Sequence, residues 1–369
     1  MCQGFQATWH GRFDAVRPQA KPADQAVSTV EPSRSFCEME WHTPGVKKHI
    51  YIYSPSSAVR DKASFRRGIK RLKASGHDVD IDEAALAKFQ RFAGDDETRL
   101  AAIARAAASG ADIALITRGG YGLTRILPKI NYKAIGNAID KGTRFVGLSD
   151  FTALQLAVLS KTGAVTWAGP ALCEDFGTAQ TVDDIMQACF DDLVCGQGEG
   201  TGWRLPAPLA ISATNKIAVS TQKITATSSF VIKNATLWGG NLTILTSLLG
   251  TPFFPKPDTI KGGILFIEDV GEHPYRVERF LTQLLHAGVL ASQKAIVFGQ
   301  FSNYKLVAGY DSGFNLNAVA ARLQNSIKAR VLMGLPFGHV ATKVLLPVGS
   351  KVTLAVDEKE ALIVWGDSV

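Results

Sequence analysis

The tightest constraint on the fold is an apolar run, Ile113-Ala-Leu-Ile116, that passes through Thr117 straight into the glycine-rich Arg118-Gly-Gly-Tyr-Gly122. A strand with no polar position has no solvent face, so it must be covered on both sides, as in a parallel sheet flanked by helices. The surrounding pattern agrees. His49-Ile-Tyr-Ile-Tyr53 reads as a strand ending in Ser54-Pro-Ser-Ser57, and a helix over about 58–75 is closed by Gly76. Residues 79–81 read as a short strand, and Asp95 or Asp96 can cap a helix over 97–108. Phe145-Val-Gly147 is the next strand, followed by a helix over 151–160 and a strand over 165–168. Ligands of such sheets bind at the carboxyl ends of the strands, where the 118–122 loop and Ser149 both fall.

A second αβ pattern follows a weak stretch. Gly239-Gly-Asn241 is expected to open a helix through Leu249, and Gly263-Ile-Leu-Phe-Ile267 is a buried strand ending at Glu268-Asp269. Residues 275–287 form an amphipathic helix with Phe280, Leu281, Leu284 and Leu285 inward. Strands over 294–298 and 330–333 come next, the latter delivering Pro336-Phe-Gly-His339, and 351–365 alternates like a hairpin. The expected fold is α/β: an N-terminal doubly wound, flavodoxin-like parallel-sheet domain (47–205), a linker (206–230) and a smaller C-terminal α/β domain (231–369), with the active site at the interface. Residues 1–46, mixed in charge and without periodicity, are expected to be a disordered extension.

Composition narrows the function classes. The net charge is +7, but the basic residues are dispersed except for Arg66, Arg67, Lys70, Arg71 and Lys73, whose helical spacing suggests a solvated face rather than a nucleic-acid track. No run of 18 apolar residues and no signal-peptide core occur, which favours a cytoplasmic protein away from membranes. The five cysteines are scattered without a CxxC pair, and no HExxH-type spacing is present, so neither a metal site nor a cofactor is expected.

Four features can carry chemistry. Ser149 sits at a strand-to-helix turn in Gly147-Leu-Ser-Asp150, where a hydroxyl can be exposed or can merely cap a helix. Arg118-Gly-Gly-Tyr-Gly122 lacks the spacing of a dinucleotide or P-loop site, and fits a donor loop for a carboxylate or oxyanion, or a plain tight turn. Glu268 and His339 each follow a strand; either alone can be structural. One Ser, one His and one Glu behind three separate strands is the placement of an α/β site. His49, His77, His273 and His286 start a strand, sit in a turn, or lie on or beside a helix.

Seven motifs then occur in order: Arg118-Gly-Gly-Tyr-Gly122, Gly147-Leu-Ser-Asp-Phe-Thr152, Gly169-Pro170, Gly239-Gly-Asn-Leu-Thr243, Leu249-Gly-Thr-Pro252, Ile267-Glu-Asp-Val-Gly-Glu272 and Gly334-Leu-Pro-Phe-Gly-His339. Over about residues 48–365 the chain thereby resembles the LD-carboxypeptidase family, the S66 serine peptidases that include the microcin C self-immunity hydrolases. It departs from the family pattern at Trp167-Ala168, where a His is common. The resemblance implies a catalytic triad of Ser149, His339 and Glu268, and a murein tetrapeptide substrate whose terminal D-alanine is released in peptidoglycan recycling. It also implies a homodimer. The backbone N–H groups of Gly120 and Asp150 are the candidate oxyanion hole, and Arg118, with Tyr121, is the candidate contact for the substrate's free carboxylate. Three rivals stand beside this reading. A microcin-immunity-like amidase would need an aromatic platform such as Trp167 or Trp203. A non-catalytic binding protein would separate Ser149 from His339, and a dinucleotide oxidoreductase lacks its glycine spacing.

Overall fold

The structure, a computed structural model, describes residues 47–206 and 227–365. The expected extension over 1–46 and most of the expected linker, 207–226, lie outside the described residues. Five strands, β1 (His49–Tyr53), β2 (Asp78–Ile81), β3 (Ile113–Ile116), β4 (Arg144–Gly147) and β5 (Thr166–Ala168), are all parallel and lie in the order β2-β1-β3-β4-β5. That is the flavodoxin-like order, whose direction reverses between β1 and β3. Every residue of β3 is buried, as its unbroken apolar run requires.

A second sheet contains β6 (Gly200–Arg204), β7 (Thr227–Asn241), β8 (Ile264–Val270), β9 (Ala295–Ser302) and β10 (Arg330–Leu332). β7 through β10 run parallel in the order β10-β9-β8-β7. The chain then returns to the first sheet, where β11 (Leu346–Val348) pairs antiparallel with β5. The hairpin of β12 (Lys351–Glu358) and β13 (Glu360–Val364) closes the second sheet between β7 and β6. Two segments therefore cross the sequence division expected at 205–231. β6 alternates buried (Thr201, Trp203) and exposed positions and needs an antiparallel partner, which β13 supplies; β11 is buried at all three positions and finds cover in the first sheet.

The helix Thr152–Thr162 lies at the junction, against β5, β7, β11 and the helix Leu242–Ser247. Residues 152–160 are buried all round, and a helix without a polar stripe has to be enclosed in this way. Gly239 and Gly240, expected to open a helix, instead end strand β7. A Cβ on Gly239 would overlap the Phe266 carbonyl oxygen, so only glycine lets β7 approach β8 there. The helix begins at Leu242, capped by Asn241, whose side chain accepts from Ile244 N at 3.1 Å.

The basic cluster on the helix Lys62–Ala74 divides in two. Arg66, Lys70 and Lys73 are exposed, while Arg67 donates to Gly177 O at 3.0 Å and Arg71 donates to Phe176 O and Thr178 O, both at 2.8 Å. Two of the five expected solvated cations thus hold a turn that borders the site.

Candidate active site

Ser149 leaves the end of β4 with φ +65°, a left-handed conformation that costs a residue with a side chain about 1–3 kcal/mol. Glycines make the turn fit. A Cβ on Gly119 would come within 2.6 Å of Ser149 Cβ, and one on Gly147 within 2.7 Å of an Ile116 methyl. The glycine loop after β3 therefore lies directly against the serine. Asp150, the next residue, is fully buried. Its carboxylate accepts from Ser56 Oγ at 2.5 Å and from Leu123 N at 3.0 Å, so it ties the loops after β1 and β3 to the serine turn. Burial pushes this carboxyl above its ordinary range, against the pull of those hydrogen bonds and the Arg99 charge. At the head of its short helical turn, Asp150 N–H has no intrahelical partner. Gly120 adopts φ +112°, and its Cβ position is filled by Ser57 Oγ and Arg118 Nη1. No turn or loop carbonyl among the described residues takes either N–H.

The second half of the site hangs from β8 and the strap after β10. Glu268, 0% exposed, sits on β8, and its Oε2 lies 2.7 Å from His339 Nδ1. Its Oε1 accepts from Asn241 Nδ2 at 3.1 Å. A buried carboxylate without such partners would be strongly disfavoured. Asn241 Nδ2 also reaches Asp269 Oδ1 at 2.9 Å, while Asp269 Oδ2 accepts from Thr243 N and Oγ1. Burial raises the Asp269 carboxyl, and the neighbouring Glu268 charge raises it further.

His339 rides on the segment that runs from β10 in the second sheet to β11 in the first. Its start follows β9: Gln300 N donates to Phe337 O at 2.8 Å, and Gly338 packs on Glu268 with φ +142°. Its far end is pinned by Lys343, whose Nζ meets Asp175 Oδ1 at 2.5 Å with both side chains buried. Burial disfavours a charged His339 imidazole, yet the hydrogen bond and charge of Glu268 outweigh this and hold its pKa above the ordinary histidine value. The positive Lys343 works against that rise.

The structure thus brings Glu268 and His339 into direct contact and links Glu268 through Asn241 to Thr152, three residues beyond Ser149. Asn241 N donates to Thr152 Oγ1 at 3.0 Å, one short turn beyond the serine. Among the described residues, Ser149 and His339 form no direct hydrogen bond, and such bonds commonly tighten only when substrate is bound. Arg118 and Tyr121 stand beside the serine turn. Arg118 Nε donates to Glu174 Oε1 at 3.2 Å, and the half-exposed Tyr121 ring packs on Phe92 with its backbone N–H donating to Ser57 Oγ at 3.0 Å. Asn241, Thr152, Glu174, Asp175 and Lys343 did not stand out as site residues in the sequence. Asn241 alone carried a usable signal, as a helix-capping amide directly behind two glycines.

A hydroxyl at a strained turn, a loop of close-packed glycines and an imidazole aligned by a buried carboxylate are the parts of an acyl-transfer centre. Comparison with known proteins agrees with that class. Residues 50–169 match the LD-carboxypeptidase N-terminal domain and residues 234–354 the LD-carboxypeptidase C-terminal domain. A probable murein peptide carboxypeptidase of Bacillus subtilis is 30% identical over 80% of this chain and 86% of its own. The crystal structure of muramoyltetrapeptide carboxypeptidase from Oxalobacter formigenes superposes with a TM-score of 0.72 at 36% identity, covering 85% of this chain and 97% of that one. The microcin C7 self-immunity protein of Escherichia coli is 27% identical over 67% of this chain and 72% of its own. The chain belongs to the LD-carboxypeptidase family, and it is a carboxypeptidase. Among the described residues no helix is long and apolar enough to cross a membrane.

Proposed function

We infer that the chain is a serine-type LD-carboxypeptidase that releases the terminal D-alanine of murein tetrapeptides, with Ser149 as nucleophile, His339 as general base and Glu268 as its orienting carboxylate. The observation that carries this is the contact between buried Glu268 on β8 and part-buried His339 on the strap that joins the two sheets, with Glu268 tied through Asn241 to the helix behind Ser149. With the Nδ1 proton held on Glu268, the Nε2 lone pair of His339 is the one available to take the Ser149 proton. Ser149 Oγ then adds to the carbonyl carbon, and the oxyanion falls to the N–H groups of Gly120 and Asp150, each worth about 3–4 kcal/mol in comparable sites. The C–N bond breaks as His339 returns the proton to the leaving nitrogen, and water repeats the cycle on the acyl ester. Arg118, beside the oxyanion loop, takes the free carboxylate that an exopeptidase must recognise, and Tyr121 flanks it. The same reading assigns the enzyme to cytoplasmic recycling of cell-wall peptides, as a homodimer.

The microcin-immunity-like alternative calls for an open aromatic platform. Trp203 is buried with its Nε1 donating to Met333 O at 3.1 Å, and Trp167 packs edge-on against Trp365. Both tryptophans are committed to packing, which supports the murein reading. The test is to incubate purified protein with a meso-diaminopimelate tetrapeptide and, separately, with an aminoacyl sulfamoyl nucleoside. Tripeptide formation from the first, abolished by Ser149→Ala, is expected. Preferential cleavage of the nucleoside would reverse the assignment.

A further inference from the structure

Arg118 and Glu174 make a two-signed pair beside the nucleophile, and the proposed mechanism uses only one half of it. A backbone bond from Cys173 N to Thr117 O, 2.9 Å, brings the turn Leu172–Phe176 alongside the end of β3. The residues that follow on each segment, Arg118 and Glu174, are joined through Arg118 Nε at 3.2 Å. The Arg118 side chain is 11% exposed and that of Glu174 46%. Nη1 of Arg118 is buried with no hydrogen-bond partner among the described residues. It lies 2.8 Å from the Cβ position of Gly120, while Ser149 fills the corresponding position of Gly119. Guanidinium and nucleophile therefore flank two consecutive residues of one loop.

A buried guanidinium nitrogen without an acceptor is costly, and a carboxylate is the acceptor whose geometry matches its fork. In an exopeptidase substrate, only the scissile nitrogen and one Cα separate the terminal carboxylate from the carbonyl under attack. The carboxylate that reaches Arg118 must therefore belong to the leaving residue, because groups farther along the peptide sit too far from the oxyanion loop. Once the C–N bond breaks, the leaving nitrogen holds the proton returned by His339, and at neutral pH it takes a second proton from water. The product then carries an ammonium next to its carboxylate. Glu174, half open to solvent and already beside Arg118, is the anion placed to receive it.

Resting on the carboxypeptidase reading above, we propose that Arg118 and Glu174 form a subsite for a free α-amino acid in its zwitterionic form, which retains the D-amino acid after cleavage. The pair selects a ligand bearing both charges over one bearing either alone, and the released D-amino acid competes with substrate for the site.

The experiment is calorimetric titration of the full-length Ser149→Ala protein with D-alanine, D-lactate and D-alaninamide. The nucleophile is absent, so binding is read without turnover. D-Alanine is expected to bind about tenfold or more tighter than either analogue, the usual worth of one additional charge-assisted hydrogen bond. Adding Glu174→Gln should bring D-alanine and D-lactate to the same affinity, while adding Arg118→Gln should weaken both. Equal binding of D-alanine and D-lactate in the Ser149→Ala protein, or a preference untouched by Glu174→Gln, overturns the subsite. Should Glu174→Gln fail to fold, the three-ligand comparison in the Ser149→Ala protein still decides. The parent reading fails on a different result, tripeptide formation that survives Ser149→Ala.

Discussion

The two halves of the site are built by different physics. Around Ser149 the work is done by backbone: a left-handed serine, glycines whose missing Cβ atoms let the β3 loop touch it, and N–H groups at the head of a helical turn. Around His339 it is done by buried charge: Glu268 satisfied by Asn241 and His339, Asp269 by Asn241 and Thr243, and Lys343 by Asp175. The serine half should therefore fail sterically, through any added atom, whereas the histidine half should fail electrostatically, through changes that preserve shape.

On the proposed mechanism the largest effects belong to Ser149 and His339. Ser149→Ala and His339→Ala should each lower kcat by about 10^4–10^6-fold, with the double variant hardly worse than either single, because the two act as one unit. Multiplicative losses in the stopped-flow or chromatographic rate would break that claim. Glu268→Gln, nearly isosteric, should cost about 10^2–10^4-fold, since it removes the charge that holds the imidazole tautomer and stabilises the imidazolium. A steric role alone would leave that variant active. On the serine side, Gly119→Ala adds one carbon where Ser149 already sits; a loss of about 10^2–10^3-fold in kcat is expected, as for a displaced oxyanion donor. KM should change less than kcat.

The smallest effect concerns pH. The proposed mechanism needs neutral His339 as its base, so the raised pKa puts the acidic limb of kcat/KM above the ordinary histidine value of about 6.5. For folding the sign is opposite: the Glu268–imidazolium interaction stabilises the protein fully below that value and is lost as pH rises through the folded pKa. Lys343→Met should shift the limb further up, because a nearby positive charge is gone. Alone it leaves Asp175 buried and unpaired, at a cost of about 3–5 kcal/mol; Lys343→Met with Asp175→Asn should recover the melting temperature while keeping the shifted limb. A limb that returned along with the stability would reduce Lys343 to a packing residue.

The same contrast explains what could be read from sequence. Backbone devices leave local signatures: the apolar run of β3, the glycines at 119, 120 and 147, and the strand-helix alternation gave the parallel sheet and the place of Ser149. Charge networks assembled from distant segments leave none. Lys343 and Asp175 are 168 residues apart, and Asn241 and Glu268 27, with no periodicity linking them. Strand exchange was equally silent, since β11 is three residues long and joins a sheet whose other strands end at Ala168. Gly239 and Gly240 were misplaced at a helix start because close approach of two strands and the opening of a helix call for the same residue.

Labelling with a fluorophosphonate tests the central claim, that Ser149 and His339 operate as nucleophile and base, most directly. The reagent forms a bond between Ser149 Oγ and phosphorus as fluoride leaves, and the serine proton must pass to a base. Peptide mass spectrometry should place the adduct on Ser149. The labelling rate should rise with pH along the His339 limb and fall by orders of magnitude in His339→Ala. An adduct on another residue, or labelling of Ser149 at a near-wild-type rate in His339→Ala, would contradict the account.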